Sequence, residues 1–123
     1  MTTTAATRLA LGAYGEDVAA RFLTEERGMS LLDRNWRCPE GELDLVLRDG
    51  DVLVACEVKT RRGDHCGSPH EAVDPVRLER LQRLVWRWAE QHGVHPEEAR
   101  VDLVAVLRPR RGPAVVDHVE GLC

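Results

Sequence analysis

Four charged residues lie in two neighbouring apolar segments, at a spacing that suits metal-dependent chemistry. Glu42 and Asp44 lie in GELDLVL, and Glu57 and Lys59 lie in VLVACEVKT. Because side chains alternate between the two faces of a strand, the two members of each pair point the same way. Lys59 is the only lysine of the chain, and every other basic residue among the Lys+Arg total of 17 is an arginine. An apolar strand with acids and a lone lysine therefore calls for a chemical explanation.

The dipeptide Asp49-Gly50 between these segments predicts a tight β-hairpin. With these two residues at the centre of the turn, Asp44 lies opposite Ala55 and Glu42 lies opposite Glu57. The four charged groups then converge on one face, with opposed Cβ atoms about 5 Å apart. A one-residue change in the turn would separate them onto opposite faces.

Three carboxylates on one face repel each other and need a counterion. Mg²⁺ bound by Asp44 and Glu57 would supply it, since hard divalent cations take oxygen ligands. Such an ion also polarises a phosphate and a water molecule. Lysine suits the orientation or deprotonation of that water, whereas an arginine guanidinium stays protonated. On the residues alone an ordinary same-face ion pair between Glu57 and Lys59, worth little to stability, remains an equal alternative.

The remaining pattern predicts one α/β domain over residues 1–123, with the element order α-β-β-β-α-β-β. Residues 1–8 and the C-terminal few are expected to be flexible. With 43% hydrophobic residues, the domain can bury a core without disulfide bonds or a structural metal. The predicted helices cover 9–28 and a segment from Asp74-Pro75 to about Gly93, and the predicted strands cover 30–38, 42–47, 52–60, 100–107 and 114–119.

Helical spacing predicts the apolar stripe of each helix. The stripe of the first helix contains Leu9, Ala13, Ala20 and Leu23, and that of the second contains Leu78, Leu81, Val85 and Trp88. Asp102, in an otherwise apolar strand, is expected to pair with an arginine such as Arg100 or Arg37.

Composition narrows the class of protein. The net charge is −4 and the sequence pI is about 5.7, so a nucleic-acid partner requires arginines gathered beside the acids. We expect no membrane span and no signal peptide. Four cysteines without CxxC spacing indicate a reduced, cytoplasmic protein. A zinc site at His65, Cys66 and His70 is not expected, because no second ligand pair has suitable spacing.

Six motifs resemble the YraN family of predicted endonucleases, within the restriction-endonuclease-like PD-(D/E)XK superfamily. The motifs cover most of residues 12–107 in the family's order, and they are GAYGEDVAARFL, RNWRCPEGELDLV, EVKTRRG, GSPHEAV, RLERL and RVDLVAV. The resemblance implies a restriction-endonuclease-like core with a central mixed sheet flanked by helices. It also implies similarity to Holliday-junction resolvases, which are metal-dependent homodimers.

The same resemblance implies roles for individual residues. Asp44 and Glu57 match the metal-binding acids and Lys59 matches the catalytic lysine. Glu16 matches a helix-borne glutamate that lies near the metal in related resolvases. The Val58 backbone carbonyl is expected to complete the shell of a Mg²⁺ or Mn²⁺ ion. The further candidates are Glu42 and Thr60 near the metal, and Arg61, Arg62, Arg77 and Arg80 as contacts to nucleic acid.

These features predict a Mg²⁺- or Mn²⁺-dependent nuclease that hydrolyses DNA phosphodiester bonds, with branched or junction DNA among the candidate substrates. The expected partners are DNA and a second copy of the chain, with no membrane. The alternative is a catalytically silent nuclease-fold module that binds nucleic acid or a protein partner.

Overall fold

A computed structural model describes residues 4–63 and 73–122, in which two helices flank a five-stranded mixed sheet. The elements are α1 (Ala5–Glu25), β1 (Ser30–Cys38), β2 (Gly41–Asp49), β3 (Val52–Arg62), α2 (Pro75–Gln91), β4 (Glu98–Arg108) and β5 (Val115–Val119). The sheet order is β1-β2-β3-β4-β5, with β3 and β4 parallel and the other neighbours antiparallel. The predicted α/β class and element order are confirmed. His65, Cys66 and His70 lie outside the described residues.

Each helix covers one face of the sheet. The buried stripe of α2 packs against one face and includes all four residues that the sequence placed there, namely Leu78, Leu81, Val85 and Trp88. The opposite face packs against α1 through Ala19, Ala20 and Leu23. Neither helix in the described ranges is long and apolar enough to cross a bilayer.

Helix α1 begins earlier than its apolar spacing suggested. Thr4 is the N-cap, and its hydroxyl accepts a hydrogen bond from the Thr7 N–H at 3.1 Å. The helix therefore includes residues 5–8, which we expected to be flexible. Leu9, which we assigned to the buried stripe, is 75% exposed. The core contacts of α1 come from its second half.

The β2–β3 hairpin has a different register from the predicted one. Asp49 pairs with Val52, so the turn residues are Gly50 and Asp51, and Gly50 adopts φ +61°. Val46, not Asp44, pairs with Ala55. The shift moves the pairing by two residues, and side chains alternate with a period of two. A two-residue shift alone would preserve the facing of Glu42 and Asp44, but the predicted pairs Asp44–Ala55 and Glu42–Glu57 do not form, because β2 leaves β3 beyond Leu45–Cys56.

Strand β2 departs from β3 after the pair Leu45–Cys56, while β3 continues beside β4 as far as Arg62. The departure coincides with an interruption of side-chain alternation. Leu43 and Val46 both pack against α2, whereas Leu45 packs against α1. The interruption falls at Asp44, and it opens a fork between the two strands.

The neighbouring strand β1 changes direction at the matching position. Asn35 is the non-glycine residue of the described chain with a positive φ, at 55°. Asparagine tolerates this conformation better than most residues. Asp33 and Trp36 on either side both contact the α2 face, which requires the same break in alternation. The break in side-chain alternation in β1 thus lies beside the break in β2.

A separate ionic cluster lies within β4, around Asp102. This carboxylate is fully buried and bonds Arg100 at 2.8 Å, His118 at 2.8 Å and the Gly121 N–H at 3.0 Å. Burial alone would raise the pKa of Asp102, but these hydrogen bonds hold it below its ordinary value. The predicted pairing of Asp102 with an arginine is confirmed for Arg100. The cluster connects β4 to the C-terminal segment.

Gly15 allows α1 to approach β3 more closely than any other residue type would. A Cβ atom added at Gly15 would lie 1.8 Å from Thr60 Oγ1 and 2.8 Å from Thr60 Cβ. Both atoms belong to a strand side chain close to its backbone, so a small rotation does not relieve the overlap. The spacing between helix and sheet is therefore set at this contact.

We expect Gly15→Ala to destabilise the fold by about 1–3 kcal/mol, because the added methyl group overpacks the helix–sheet contact. Gly12→Ala is the matched control in the same helix, since a Cβ there meets nothing within 4 Å. The control should gain about 0.5–1 kcal/mol from helix propensity. Urea unfolding followed by circular dichroism measures both, and equal stabilities for the two variants would contradict the contact.

Candidate functional site

Asp44 lies in the fork between β2 and β3. Its carboxylate Oδ2 accepts the Val58 backbone N–H at 2.9 Å, in place of the partner that β2 no longer supplies. The N–H and C=O of one strand residue point to the same side of the strand. The Val58 carbonyl oxygen therefore faces the fork as well. The sequence assigned both groups to the site, and the strand geometry brings them together.

Glu57 lies beside this fork on the α2 side of β3. Its side chain is 10% exposed and forms an ion pair with Arg77 of α2. Lys59, two residues further along β3, is exposed and close enough for its charge to lower the pKa of Glu57. The predicted same-face relation of Glu57 and Lys59 agrees with this geometry. The partner of Glu57 in the folded chain is nevertheless Arg77.

The acids in the fork interact strongly. Burial, together with the charges of Glu57, Glu16 and Glu42, raises the pKa of Asp44 from 3.8 to about 7, against the lowering effect of the Val58 N–H. Burial also raises the pKa of Glu57, which Arg77 opposes and Glu42 reinforces. Carboxyl groups perturbed by burial and by like charges are typical of functional sites.

Glu16 and Glu42 approach the fork from two different elements. Glu16 lies on α1 with its side chain 18% exposed, and its Oε1 lies 3.7 Å from Arg34 Nη2 of β1. Glu42 begins β2 and is more exposed, with Oε2 3.1 Å from Arg37 Nε. Their effects on the pKa of Asp44 place both within electrostatic range of it. The role of Arg34 as a neutralising neighbour was not predicted, and its sequence context offered no signal for it.

Three of the predicted site residues, Thr60, Arg61 and Arg62, lie away from the acidic fork. Thr60 faces α1, where its hydroxyl lies against Gly15, so it is on the face opposite Glu57. Arg61 and Arg62 are exposed at the end of β3, and the described part of the chain gives them no ion pair. Beside Arg62, the neighbouring strand ends at Arg108. An arginine-rich edge therefore lies just beyond Lys59.

Arg77 and Arg80 line a groove of about 440 Å³ between α2 and the β1–β2 turn. The other charged residues of this groove are Arg37, Glu40 and Glu42. Arg77 contacts Glu57 as well, so the groove leads to the acidic fork. Both arginines were predicted as nucleic-acid contacts, and the structure gives Arg77 a second contact that the spacing did not indicate.

The oxygen atoms in and beside the fork supply part, but not all, of the coordination shell of a divalent cation. Within residues 4–63 and 73–122, no three His, Cys, Asp or Glu side chains are close enough to hold a metal ion. Asp44 and Glu57 with the Val58 carbonyl supply two carboxylates and one backbone oxygen. Mg²⁺ commonly takes only one or two carboxylates and completes its shell with water and substrate phosphate. Asp44 and Glu57, whose pKa values are both raised by burial and by neighbouring acids, are the chemical match to such an ion.

Residues 15–106 match the model of the uncharacterised protein family UPF0102, and the chain belongs to this family. It is 59% identical over 118 residues to a UPF0102 protein of Nocardioides sp., covering 96% of this chain and 94% of that protein. It is 58% identical over 114 residues to one from Kineococcus radiotolerans, covering 92% and 93%. The YraN-like part of the sequence resemblance is thereby confirmed.

One solved structure, that of Pyrococcus furiosus SfsA in complex with Ca²⁺, is similar at a TM-score of 0.32 and 15% identity. The match covers 93% of this chain and 63% of that chain. A likeness this weak carries no argument about the site.

The raised pKa of Asp44 predicts a specific dependence of stability on pH. A carboxyl group whose folded pKa exceeds its unfolded pKa stabilises the fold below about pH 4, and this contribution is lost as the pH rises through about 7. Each unit of difference corresponds to about 1.4 kcal/mol. Metal-free wild-type protein should therefore lose stability between these pH values.

Asp44→Asn should remove this loss, because the amide oxygen keeps the bond to Val58 without titrating. Urea unfolding in EDTA across the pH range measures the difference between the two proteins. The variant should be the more stable one above pH 7, with the difference shrinking toward pH 4. Glu57 titrates in both proteins, so its contribution largely cancels. Parallel pH profiles would contradict the assignment.

Proposed function

We propose that this protein is a Mg²⁺- or Mn²⁺-dependent nuclease that hydrolyses DNA phosphodiester bonds, with a restriction-endonuclease-like core. The observation that carries the proposal is the fork itself. Asp44 lies in the fork with its carboxylate on the Val58 N–H, and Glu57 lies beside the fork within electrostatic range of the only lysine of the chain. The like charges of Glu57, Glu16 and Glu42 around Asp44 disfavour its ionised form unless a cation offsets them.

In this proposal Asp44 and Glu57 hold the ion through their carboxylates, and the Val58 carbonyl adds a third oxygen. The bound ion would supply positive charge at the phosphate and favour ionisation of a water molecule. Lys59 orients that water for in-line attack on phosphorus, since its ammonium donates hydrogen bonds from a compact, mobile head group. Glu16 and Glu42 do not bind the ion directly but maintain the negative potential that attracts it.

The arginines around the fork reconcile a net charge of −4 with a nucleic-acid substrate. Arg61 and Arg62 on β3 and Arg108 on β4 form one exposed edge, and Arg77 and Arg80 line the groove on the other side of the acids. Phosphate contacts of this kind position a substrate without reading its sequence. We propose the groove and the edge as the path of the DNA backbone.

We further propose a cytoplasmic location, which the cysteine spacing indicates, and a homodimer, which the sequence resemblance implies. Cys38 and Cys56 are free thiols, which suits a reducing compartment. Branched and junction DNA are the first substrates to test, because the resemblance is to junction resolvases.

Lys59→Ala should lower the rate of DNA cleavage by about 10²–10⁴-fold while leaving DNA affinity nearly unchanged, because Lys59 acts on the water and not on the phosphate path. The assay incubates labelled branched and linear DNAs with Mn²⁺ and measures the initial rate, with affinity followed by fluorescence anisotropy.

Arg61→Ala provides the matched control from the same strand. It should weaken DNA binding and leave the rate at saturating DNA nearly intact. Lys59→Arg should be as slow as Lys59→Ala if a lysine is required. Cleavage by Lys59→Ala at the wild-type rate would show that the assigned chemistry is wrong.

The second candidate function is a catalytically silent module of the same fold that binds nucleic acid or a protein partner. The Arg77–Glu57 ion pair favours it, because this pair neutralises Glu57 without any metal. In that case the acids would serve only packing and solubility.

Calorimetric titration with Mn²⁺, alone and with a short DNA duplex, separates the two candidates. The nuclease requires Mn²⁺ binding in at least one condition, and Asp44→Asn should weaken it by about tenfold or more because one of two ligating carboxylates is lost. Glu79→Gln is the control, since Glu79 pairs with Arg83 on the exposed face of α2. Absence of Mn²⁺ binding in both conditions favours the silent module.

A further inference from the structure

The contact between Arg77 and Glu57 joins two residues in very different environments. The Glu57 side chain is 10% exposed, whereas that of Arg77 is 51% exposed. Arg77 also belongs to the first turn of α2, where its backbone N–H is held by the Asp74 carboxylate at 2.8 Å. The guanidinium therefore reaches into the acidic fork from a fixed point on the surface.

Arg77 has a second environment within reach, because it also lines the groove between α2 and the β1–β2 turn. Arg80, one turn along α2, lines the same groove but has no contact with Glu57 among the described residues. A phosphate seated in the groove would be an alternative partner for Arg77. Phosphate suits a guanidinium at least as well as a carboxylate does, since both accept two parallel hydrogen bonds.

Glu57 cannot serve Arg77 and a metal ion equally well at the same time. The ion pair engages Oε1 and places a cation where a second cation would have to approach. Arginine stays protonated under all ordinary conditions, so the competition is not relieved by loss of a proton. It is relieved only when the guanidinium moves to another anion.

We propose that Arg77 is a positioning residue that couples DNA binding to metal binding. Without DNA it holds Glu57 and weakens metal binding. With a backbone phosphate in the groove it moves to that phosphate and leaves Glu57 to the ion. This inference rests on the proposed function and adds to it an order of assembly, in which the complete metal site forms on the substrate.

Coupling between two ligands is reciprocal by thermodynamic necessity. DNA must therefore tighten Mn²⁺ binding by the same factor by which Mn²⁺ tightens DNA binding. Removal of Arg77 should lower both factors, because no residue then exchanges between Glu57 and the phosphate and only the direct contact of the ion with the DNA phosphate still couples the two ligands. A role of Arg77 in packing alone would lower stability without changing this coupling.

The test measures Mn²⁺ affinity by calorimetry for wild type, Arg77→Gln and Arg80→Gln, without DNA. Arg77→Gln should bind Mn²⁺ about tenfold more tightly than wild type, since a charged hydrogen bond to Glu57 no longer has to be broken. Arg80→Gln is the matched control from the same groove, and its Mn²⁺ affinity should equal that of wild type.

A second arm repeats the titrations in a Lys59→Ala background with a short DNA duplex, so that no cleavage occurs. DNA should tighten Mn²⁺ binding by a clearly larger factor in the protein that retains Arg77 than in Arg77→Gln. Circular dichroism verifies folding, and Mn²⁺ should raise the Tm of Arg77→Gln more than that of wild type. Arg77→Met serves as a second truncation if the glutamine variant does not fold.

The outcomes separate this inference from the proposed function. If wild type binds Mn²⁺ and Arg77→Gln binds it equally or more weakly, the coupling is overturned and the nuclease proposal survives. If neither protein binds Mn²⁺, with or without DNA, both are overturned. Tighter binding by Arg77→Gln, with a reduced DNA dependence, supports the coupling.

Discussion

The site depends on the separation of β2 from β3. Two antiparallel strands that stay paired satisfy each other's backbone groups, and no room remains between them for side chains. Here the pairing stops after Leu45 and Cys56, and the Val58 N–H is bonded instead by the carboxylate of Asp44. Asp44 thus has a structural task, because it completes hydrogen bonding at the point where the β2–β3 backbone pairing ends. The same task holds it beside Glu57, where the two negative charges oppose one another.

Two acidic residues with opposite pKa shifts, the fully buried Asp102 and the half-buried Asp44, differ instructively. Asp102 is surrounded by donors and cations, and its pKa is lowered. Asp44 has one backbone donor and several acidic neighbours, and its pKa is raised to about 7. A carboxylate that is fully satisfied by the fold needs nothing further, whereas one that is crowded by like charge has an unmet demand for a cation. This difference in surroundings distinguishes a structural ion cluster from a candidate centre, although both acids lie in apolar strands.

Local patterns were sufficient to predict the elements and their order. The stripe of α2 followed from helical spacing, and the facing of Glu57 and Lys59 followed from strand alternation. The turn residues were misjudged, because Asp-Gly and Gly-Asp both fit a tight turn and one sequence does not decide between them. Asn35 was a usable signal for a break in β1, since asparagine tolerates a positive φ. Its relation to the site follows only from the matching break at Asp44 in the neighbouring strand. The Arg77–Glu57 contact spans twenty positions of sequence and depends on how α2 lies across the sheet, which no local pattern contains.

The close contact at Gly15 has a consequence for the residue that follows it. Glu16 is carried on α1, so its distance from the acidic fork is determined by how far the helix stands from β3. A hydrogen atom in place of a methyl group determines that separation. The electrostatic potential at the acidic fork therefore depends in part on Gly15, a residue that has no side chain and carries no charge. Sequence variation among relatives at this glycine would be expected to alter the centre through geometry, even where every ionisable group is retained.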